Sequence, residues 1–179
     1  HYFYMGDCHN YLNDKSRAEH YYLKSIEAQN KLKNKIGNIA YGRAQTNLGV
    51  MYHYQGNFDQ AEYYYNEAAK AAKETFGEMS AAYAGCITNL ATVYNDKLMY
   101  EESAELFLKS IEIKRKTIGI DNLDYATSIN NLATLYLNSK LYDKAEPLFK
   151  EALEILENIQ GKITKNYAIT LSNLALVYE

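Results

Sequence analysis

The sequence predicts an all-α fold, an α-solenoid in which antiparallel helical hairpins stack along one axis. The main observation is an Asn-Leu pair that returns every 42 residues, beginning at Asn47, Asn89, Asn131 and Asn173. Each pair is followed by a small residue and then by a tyrosine: Gly49 and Tyr52, Ala91 and Tyr94, Ala133 and Tyr136, Ala175 and Tyr178. A fixed period of about 20 to 50 residues is typical of repeat proteins, because each repeat buries its apolar face only against its neighbours.

One repeat, residues 125–161, shows the hairpin most clearly. Its first half carries Ile129, Leu132 and Tyr136 at the spacing of one helical face, and its second half carries Phe149 and Leu153 in the same way. The segment Asn-Ser-Lys at 138–140 separates the two halves. This pattern predicts two antiparallel amphipathic helices joined by a short turn.

Pairs of small residues predict where the two helices of each hairpin touch. The members of a pair stand twelve positions apart, one on each helix, where the backbones approach closely: Gly6 and Ala18, Gly49 and Ala61, Ala91 and Ser103, Ala133 and Ala145. Four such pairs predict four hairpins.

Glycines and short polar residues mark the connections between hairpins. Glycine recurs at equivalent places after each hairpin, at Gly37, Gly77, Gly119 and Gly161. We expect each to be the left-handed residue that follows a helix. Side chains that can accept from the first turn of the next helix follow at Ser80, at Asp121 or Asn122, and at Thr164.

Together these signals predict about nine helices, at 2–12, 15–34, 38–54, 58–75, 80–96, 100–117, 122–138, 142–159 and 164–178. The repeats of this single array then span 1–37, 38–79, 80–121, 122–163 and a partial unit at 164–179. Because the chain begins and ends inside predicted helices, we expect a fragment of a longer protein. The last helix has packing residues but no hairpin partner, so we expect self-association through it.

Composition and charge argue against several partners. With 19 basic and 22 acidic residues the formal charge is −3, which predicts no strong attraction to nucleic acid or an anionic membrane. No segment approaches the roughly 18 apolar residues of a membrane span, and the first residues lack the layout of a signal peptide. Cys8 and Cys86 form no disulfide framework or metal-type spacing, so a cytoplasmic location is the default.

Chemistry-bearing residues form no catalytic pattern in the sequence. GxxxxGK[ST], GxSxG and HExxH motifs are absent from it. His9 occupies the repeat position filled elsewhere by Tyr52, Tyr94 and Tyr136, which favours packing over chemistry. We therefore expect a non-enzymatic protein with no catalytic residues, no metal site and no cofactor.

The order of Leu132, Ala133, Tyr136, Ala145, Phe149 and Ala152 resembles that of the tetratricopeptide repeat family. The usual repeat has about 34 residues. The longer repeats here, with Asn131-Leu132-Ala133 and Ala145-Glu146-Pro147-Leu148, resemble the subclass typified by kinesin light chains, although the His-Pro that follows the connecting glycine in that family is absent. The resemblance covers nearly the whole chain and implies a right-handed superhelix.

The first two repeats, with Asn47-Leu48-Gly49, Gly56 and Ala61, also resemble those of bacterial peptide-sensing regulators and polarity-complex adaptors. These families bind peptides or protein segments, so the resemblance implies an adaptor or scaffold that binds a protein partner. Two alternatives stay open. One is a peptide-sensing regulatory domain of a larger signalling protein, and the other is a structural spacer or oligomerisation segment.

The resemblance assigns the binding groove to a concave face formed by the first helix of each hairpin. The partner-binding candidates are Tyr11, Arg43, Asn47, Tyr54, Asn89, Thr92, Asn95, Asn131, Thr134 and Asn173, with Thr46 and Thr88 beside them. Carboxamides carry both donors and an acceptor, so a ladder of them can pair with the backbone of an extended peptide or contact a helix. The recurrent Asn could instead bond the neighbouring helix and keep the repeats in register.

Overall fold

Helices occupy most of the chain in the computed structural model, which describes residues 1–31 and 39–179. These residues form nine α-helices: α1 Tyr2–Tyr11, α2 Lys15–Asn30, α3 Ile39–Tyr54, α4 Phe58–Phe76, α5 Ala81–Asp96, α6 Tyr100–Thr117, α7 Leu123–Asn138, α8 Tyr142–Gln160 and α9 Lys165–Val177. The all-α fold is therefore confirmed. The end predicted at 34, the start predicted at 38 and the Gly37 connection lie outside the described residues.

The chain divides into two compact units. The first, His1–Val93, contains α1 to α4 and most of α5, and the second, Tyr94–Glu179, contains the end of α5 and α6 to α9. Helices that follow one another pack as antiparallel pairs, as in α1 with α2, α3 with α4, and α7 with α8. Within each unit the hairpins also contact their neighbours, through α2 and α3 in the first unit, and through α6 and α7 and through α8 and α9 in the second.

Small residues lie at the helix crossings of the α1–α2, α3–α4 and α7–α8 hairpins. A Cβ added to Gly6 would lie 2.5 Å from Cδ1 of Tyr22, and one added to Gly49 would lie 2.7 Å from Cδ1 of Tyr65. In the α7–α8 hairpin the corresponding residues are Ala133 and Phe149, both fully buried in one cluster. The first two hairpins thus combine glycine with a tyrosine ring, and the α7–α8 hairpin combines alanine with phenylalanine.

The core of the second unit includes one buried cation. Lys114 of α6 is 6% exposed, and its Nζ donates to Ser128 Oγ at 2.7 Å and to the Asp124 carbonyl at 3.3 Å. Burial lowers the pKa of Lys114, because the charged form loses its hydration. The repeat-equivalent positions hold Gln29, Ala72 and Leu156, so Lys114 is the charged member of its column.

The connecting glycines adopt positive φ, as the sequence predicts, but not the left-handed helical conformation. Gly77 has φ 85° and ψ 163°, and Gly161 has φ 76° and ψ 175°. This region of backbone space is accessible essentially to glycine alone. The predicted C′ geometry is therefore wrong in ψ, because the chain leaves each helix in an extended direction.

A second set of positive-φ residues lies in the turns inside the hairpins. These residues occupy one repeat column: Asn13, Gly56, Leu98 and Lys140, with φ of 59°, 73°, 62° and 59°. Nothing in the sequence of Leu98 or Lys140 predicts this conformation. The predicted starts of the later helices are confirmed, since Ser80, Asn122 and Thr164 accept from the backbone N–H groups of Tyr83, Asp124 and Tyr167.

Candidate partner-binding surface

Asp7 of α1 is the centre of a polar cluster in the first unit. Its Oδ1 accepts from Tyr22 Oη at 2.8 Å and from Asn47 Nδ2 at 3.0 Å, while its Oδ2 lies 3.8 Å from Nη2 of Arg43. Burial and the neighbouring Asp7 carboxylate raise the pKa of Tyr22, so its hydroxyl stays protonated and donates. The cluster ties the recurrent Asn of α3 to the first helix of the preceding hairpin.

Arg43, the one cation among the candidates, is engaged inside the first unit. Its guanidinium lies 4.8 Å from the centroid of the Phe3 ring as well as beside Asp7. The charge of Arg43 is thus partly balanced by Asp7, although 61% of its side chain is exposed.

In the second unit the recurrent Asn makes an equivalent but longer contact. Asn173 Nδ2 lies 3.4 Å from Thr134 Oγ1. Thr134 occupies the repeat column of Asp7, so Asn173 and Asn47 contact equivalent positions of the preceding first helix. Both described contacts agree with a role in repeat register, and both leave the Asn carbonyl oxygen available.

The remaining polar candidates are half-buried, with one exception. Asn89, Thr92, Asn95 and Asn131 are partly exposed. Thr92 Oγ1 donates to the Thr88 carbonyl and Asn95 Oδ1 accepts from Asn138 Nδ2 at 3.4 Å. Thr88 itself is only 6% exposed and donates to the Ala84 carbonyl, so its predicted place on the binding surface is wrong.

Two tyrosines occupy the last positions of α1 and α3, which are the first helices of the first two hairpins. Tyr11 is 90% exposed and Tyr54 is 89% exposed, so their rings lie against little of the fold. Tyrosine is favoured in binding surfaces because a rigid ring carries a polar tip. These two rings are the aromatic groups among the predicted candidates, and both are accessible.

A pocket of about 440 Å³ opens in the first unit between α1, the start of α2 and the second half of α3. Its lining comprises Asn10, Lys15, Asn47, Val50, Met51, Tyr54 and Gln55. Asn47 and Tyr54 belong to the predicted set, whereas the sequence patterns missed Asn10, Lys15, Met51 and Gln55. Lys15 Nζ, at the start of α2, donates to Asn10 Oδ1, near the end of α1, at 2.8 Å.

The predicted packing role of His9 agrees with its surroundings. The His9 and Tyr21 rings stack at 5.2 Å and 11°, and the equivalent Tyr52 and Tyr64 rings stack at 5.4 Å and 4°. Tyr52 also donates to Glu19 at 2.5 Å, which helps to hold α3 on α2. The histidine therefore replaces a packing tyrosine.

Within residues 1–31 and 39–179, no three His, Cys, Asp or Glu side chains converge on a point that could hold a metal ion. No helix in these two ranges combines the length and the apolar character needed to cross a bilayer.

Helical hairpins that repeat along the chain, with small residues at their crossings, define a helical-repeat protein. The chain belongs to the tetratricopeptide repeat family. One family model with that description matches residues 78–158 and 129–179, and a second matches residues 42–79. Such repeats generally mediate protein–protein interaction and are typically non-catalytic. No curated protein sequence matches the chain.

Solved structures with the same fold include kinesin light chain-like proteins. BtubC (BKLC) from P. vanneervenii has a TM-score of 0.84 and 24% identity, over 97% of this chain and 68% of its own. A putative kinesin light chain of Podospora anserina has a TM-score of 0.78 and 16% identity, over 99% and 83%. RapI in its apo form has a TM-score of 0.83 and 26% identity over 98% of this chain, which spans 61% of the RapI chain.

Proposed function

We propose that this chain is a non-enzymatic protein-interaction module, an adaptor or scaffold segment that binds a peptide or helix on the first helices of its hairpins. The observation that carries the proposal is the pocket on α1 and α3, because its lining includes Asn47 and Tyr54 and two further carboxamides. A concave site with a few polar groups on an apolar floor is the usual form of a ligand site.

The chemistry of the surface favours a partner that is recognised through its peptide backbone over one that is recognised through strongly charged side chains. Its candidates are mostly carboxamides and hydroxyls, and the Arg43 charge is shared with Asp7. The hydroxyls of Thr46, Thr92 and Thr134 donate to their own helices, so each offers mainly an acceptor to a ligand. Peptide N–H and C=O groups match such a surface without needing a particular side chain.

Selection from a random peptide display library tests the proposal. Peptides that bind the chain are measured by calorimetry against the Asn89→Ala/Asn131→Ala variant, one substitution in each unit. Losing two hydrogen bonds should weaken binding by roughly tenfold or more. The matched control is Lys70→Ala/Glu154→Ala, which changes exposed residues of the second helices α4 and α8. Unchanged affinity in the Asn variant would contradict binding through the recurrent Asn, and failure to select any peptide would favour the structural spacer.

The exposed face of α9 supports the predicted self-association. Leu171 is 49% exposed and Ala175 is exposed, whereas the equivalent Ile129 and Ala133 of α7 are 2% and 0% exposed beneath α8. Two copies that pair these faces would bury apolar surface. Sedimentation over a concentration series should show a dimer that Leu171→Glu abolishes, and a monomer at all concentrations would contradict it.

We also propose a cytoplasmic location. Cys8 and Cys86 are both free thiols, and Cys8 is exposed. An exposed thiol persists in a reducing compartment and oxidises outside it. Fractionation of the source cells should find the protein with cytoplasmic markers.

A further inference from the structure

Two hydrogen bonds at the pocket decide which atoms of its carboxamides remain available. The Lys15 ammonium can only donate, so the contact at 2.8 Å must use the Asn10 oxygen and leaves Asn10 Nδ2 as a donor. The Asp7 carboxylate oxygen accepts in the contact at 3.0 Å, which uses the Asn47 nitrogen and leaves Asn47 Oδ1 as an acceptor. The pocket therefore presents donors on its α1–α2 side and an acceptor on its α3 side.

We propose, building on the function proposed above, that this pocket binds one amide group of the partner, its C=O toward Asn10 and Lys15 and its N–H toward Asn47. An aliphatic group attached to the amide lies against Val50 and Met51, which supply the apolar part of the lining. The amide belongs either to the peptide backbone or to an Asn or Gln side chain, since both carry the same pair of groups.

Other small ligand groups fit this polarity less well. A carboxylate would gain little from the exposed Lys15 charge and would place its second oxygen, which carries no N–H, against Asn47 Oδ1. An ammonium would approach the Lys15 charge. A tertiary amide, such as the one that precedes proline, has no N–H for Asn47. The site therefore discriminates between groups of nearly equal size by hydrogen bonding.

At the equivalent place in the second unit, two side chains of the protein contact each other. Asn95 and Asn138 correspond to Asn10 and Tyr54 in the repeat, and Asn138 Nδ2 lies 3.4 Å from Asn95 Oδ1. Lys15 has no cationic counterpart, because the equivalent residue is Tyr100. The amide site is thus assigned to the first unit.

A graded series of small amides tests the proposal by NMR on the ¹⁵N-labelled chain. The probes are 4-methylpentanamide, its N-methyl and N,N-dimethyl derivatives, and 4-methylpentanoate. A ligand of this size should bind with a Kd on the order of 10 mM and shift the side-chain signals of Asn10 and Asn47. The N,N-dimethyl amide and the carboxylate should bind roughly fivefold or more weakly. Equal binding of all four, or of none, overturns the proposal.

The primary amide and its N-methyl derivative distinguish a backbone amide from the carboxamide of an Asn or Gln side chain. A backbone amide predicts that the N-methyl derivative binds at least as well as the primary amide, and a side-chain carboxamide predicts that only the primary amide binds. Asn10→Asp keeps the Lys15 contact but removes the donor, so it should weaken the amide roughly tenfold. Asn66→Asp, the same change on the exposed side of α4, should leave binding unchanged.

The peptides selected for the proposed function separate the two hypotheses. If these peptides bind wild type and Asn10→Asp equally, the amide pocket is wrong while the interaction module stands. If no peptide is selected yet the primary or N-methyl amide binds with the expected selectivity, the pocket stands and the extended peptide surface is wrong. Thermal unfolding of Asn10→Asp shows whether any loss of binding reflects misfolding.

Discussion

Asn47 donates its side-chain N–H to Asp7 across the interface between the first two hairpins, at 3.0 Å. The same oxygen of Asp7 accepts from Tyr22, which belongs to the same hairpin as Asp7. One carboxylate thus joins α1, α2 and α3. The recurrent Asn uses its nitrogen for this contact and also lines the pocket, so the register role and the proposed ligand role are compatible in one side chain.

A double-mutant cycle on Asp7 and Asn47 should show energetic coupling. Asp7→Ala and Asn47→Ala each lose the same hydrogen bond, so the double variant should be less destabilised than the sum, by about 0.5–3 kcal/mol. Asp7→Ala should cost more alone, because Tyr22 also loses its acceptor. Urea denaturation measures the free energies of unfolding. A cycle of Asp7→Ala with Asn66→Ala serves as the additive reference, and strict additivity for Asn47 would contradict a structural role.

The glycines at the hairpin crossings should not tolerate a methyl group. Gly49→Ala would place Cβ 2.7 Å from the Tyr65 ring, and the overpacking should destabilise the fold by about 1–3 kcal/mol. Gly85→Ala is the matched control, since nothing lies within 4 Å of the added Cβ in the middle of α5. There the change should stabilise by about 0.5–1 kcal/mol, because alanine restricts the unfolded chain. Melting temperatures that fall for both variants would contradict this account.

The turn inside the α7–α8 hairpin should accept glycine with a gain in stability. Lys140 has φ 59°, a conformation that costs a residue with a side chain about 1–2 kcal/mol. The relief of strain in Lys140→Gly should therefore stabilise the fold by roughly 1 kcal/mol, and the entropy cost of glycine reduces this gain. Lys140→Ala removes the same charge and keeps the strain, so its stability should stay close to wild type. If urea unfolding gives equal free energies of unfolding for Lys140→Ala and Lys140→Gly, backbone strain at Lys140 is ruled out.

Periodicity predicted the fold well because packing positions repeat with the helices. The 42-residue spacing placed Leu132, Ala133 and Phe149 in the core and located the hairpins. The site was harder, because Asp7 and Lys15 each depart from their own repeat columns, which hold Val50 and Phe58 in the next repeat. A pattern of shared residues cannot reveal a residue that differs from its equivalents. The hydrogen bonds of Asp7 and Lys15, which polarise the pocket, required the three-dimensional contacts.

Alkaline pH should destabilise the first unit through its buried tyrosines. Burial raises the pKa of Tyr22 and of Tyr65, which are 0% and 2% exposed, above the ordinary value of 10.0. The unfolded chain then releases these protons first, so stability is fully present below pH 10 and falls as the pH rises further. Each such tyrosine contributes a slope of up to about 1.4 kcal/mol per pH unit.

Tyr65→Phe isolates this effect. Urea unfolding between pH 9 and 11.5, with absorbance at 295 nm to follow phenolate formation, should show a shallower loss of stability in the variant, by roughly the slope of one tyrosine. Tyr11→Phe is the control, because that ring is 90% exposed in the folded chain and should leave the slope unchanged. Equal slopes for wild type and Tyr65→Phe would show that the hydroxyl of Tyr65 reaches solvent and ionises without unfolding.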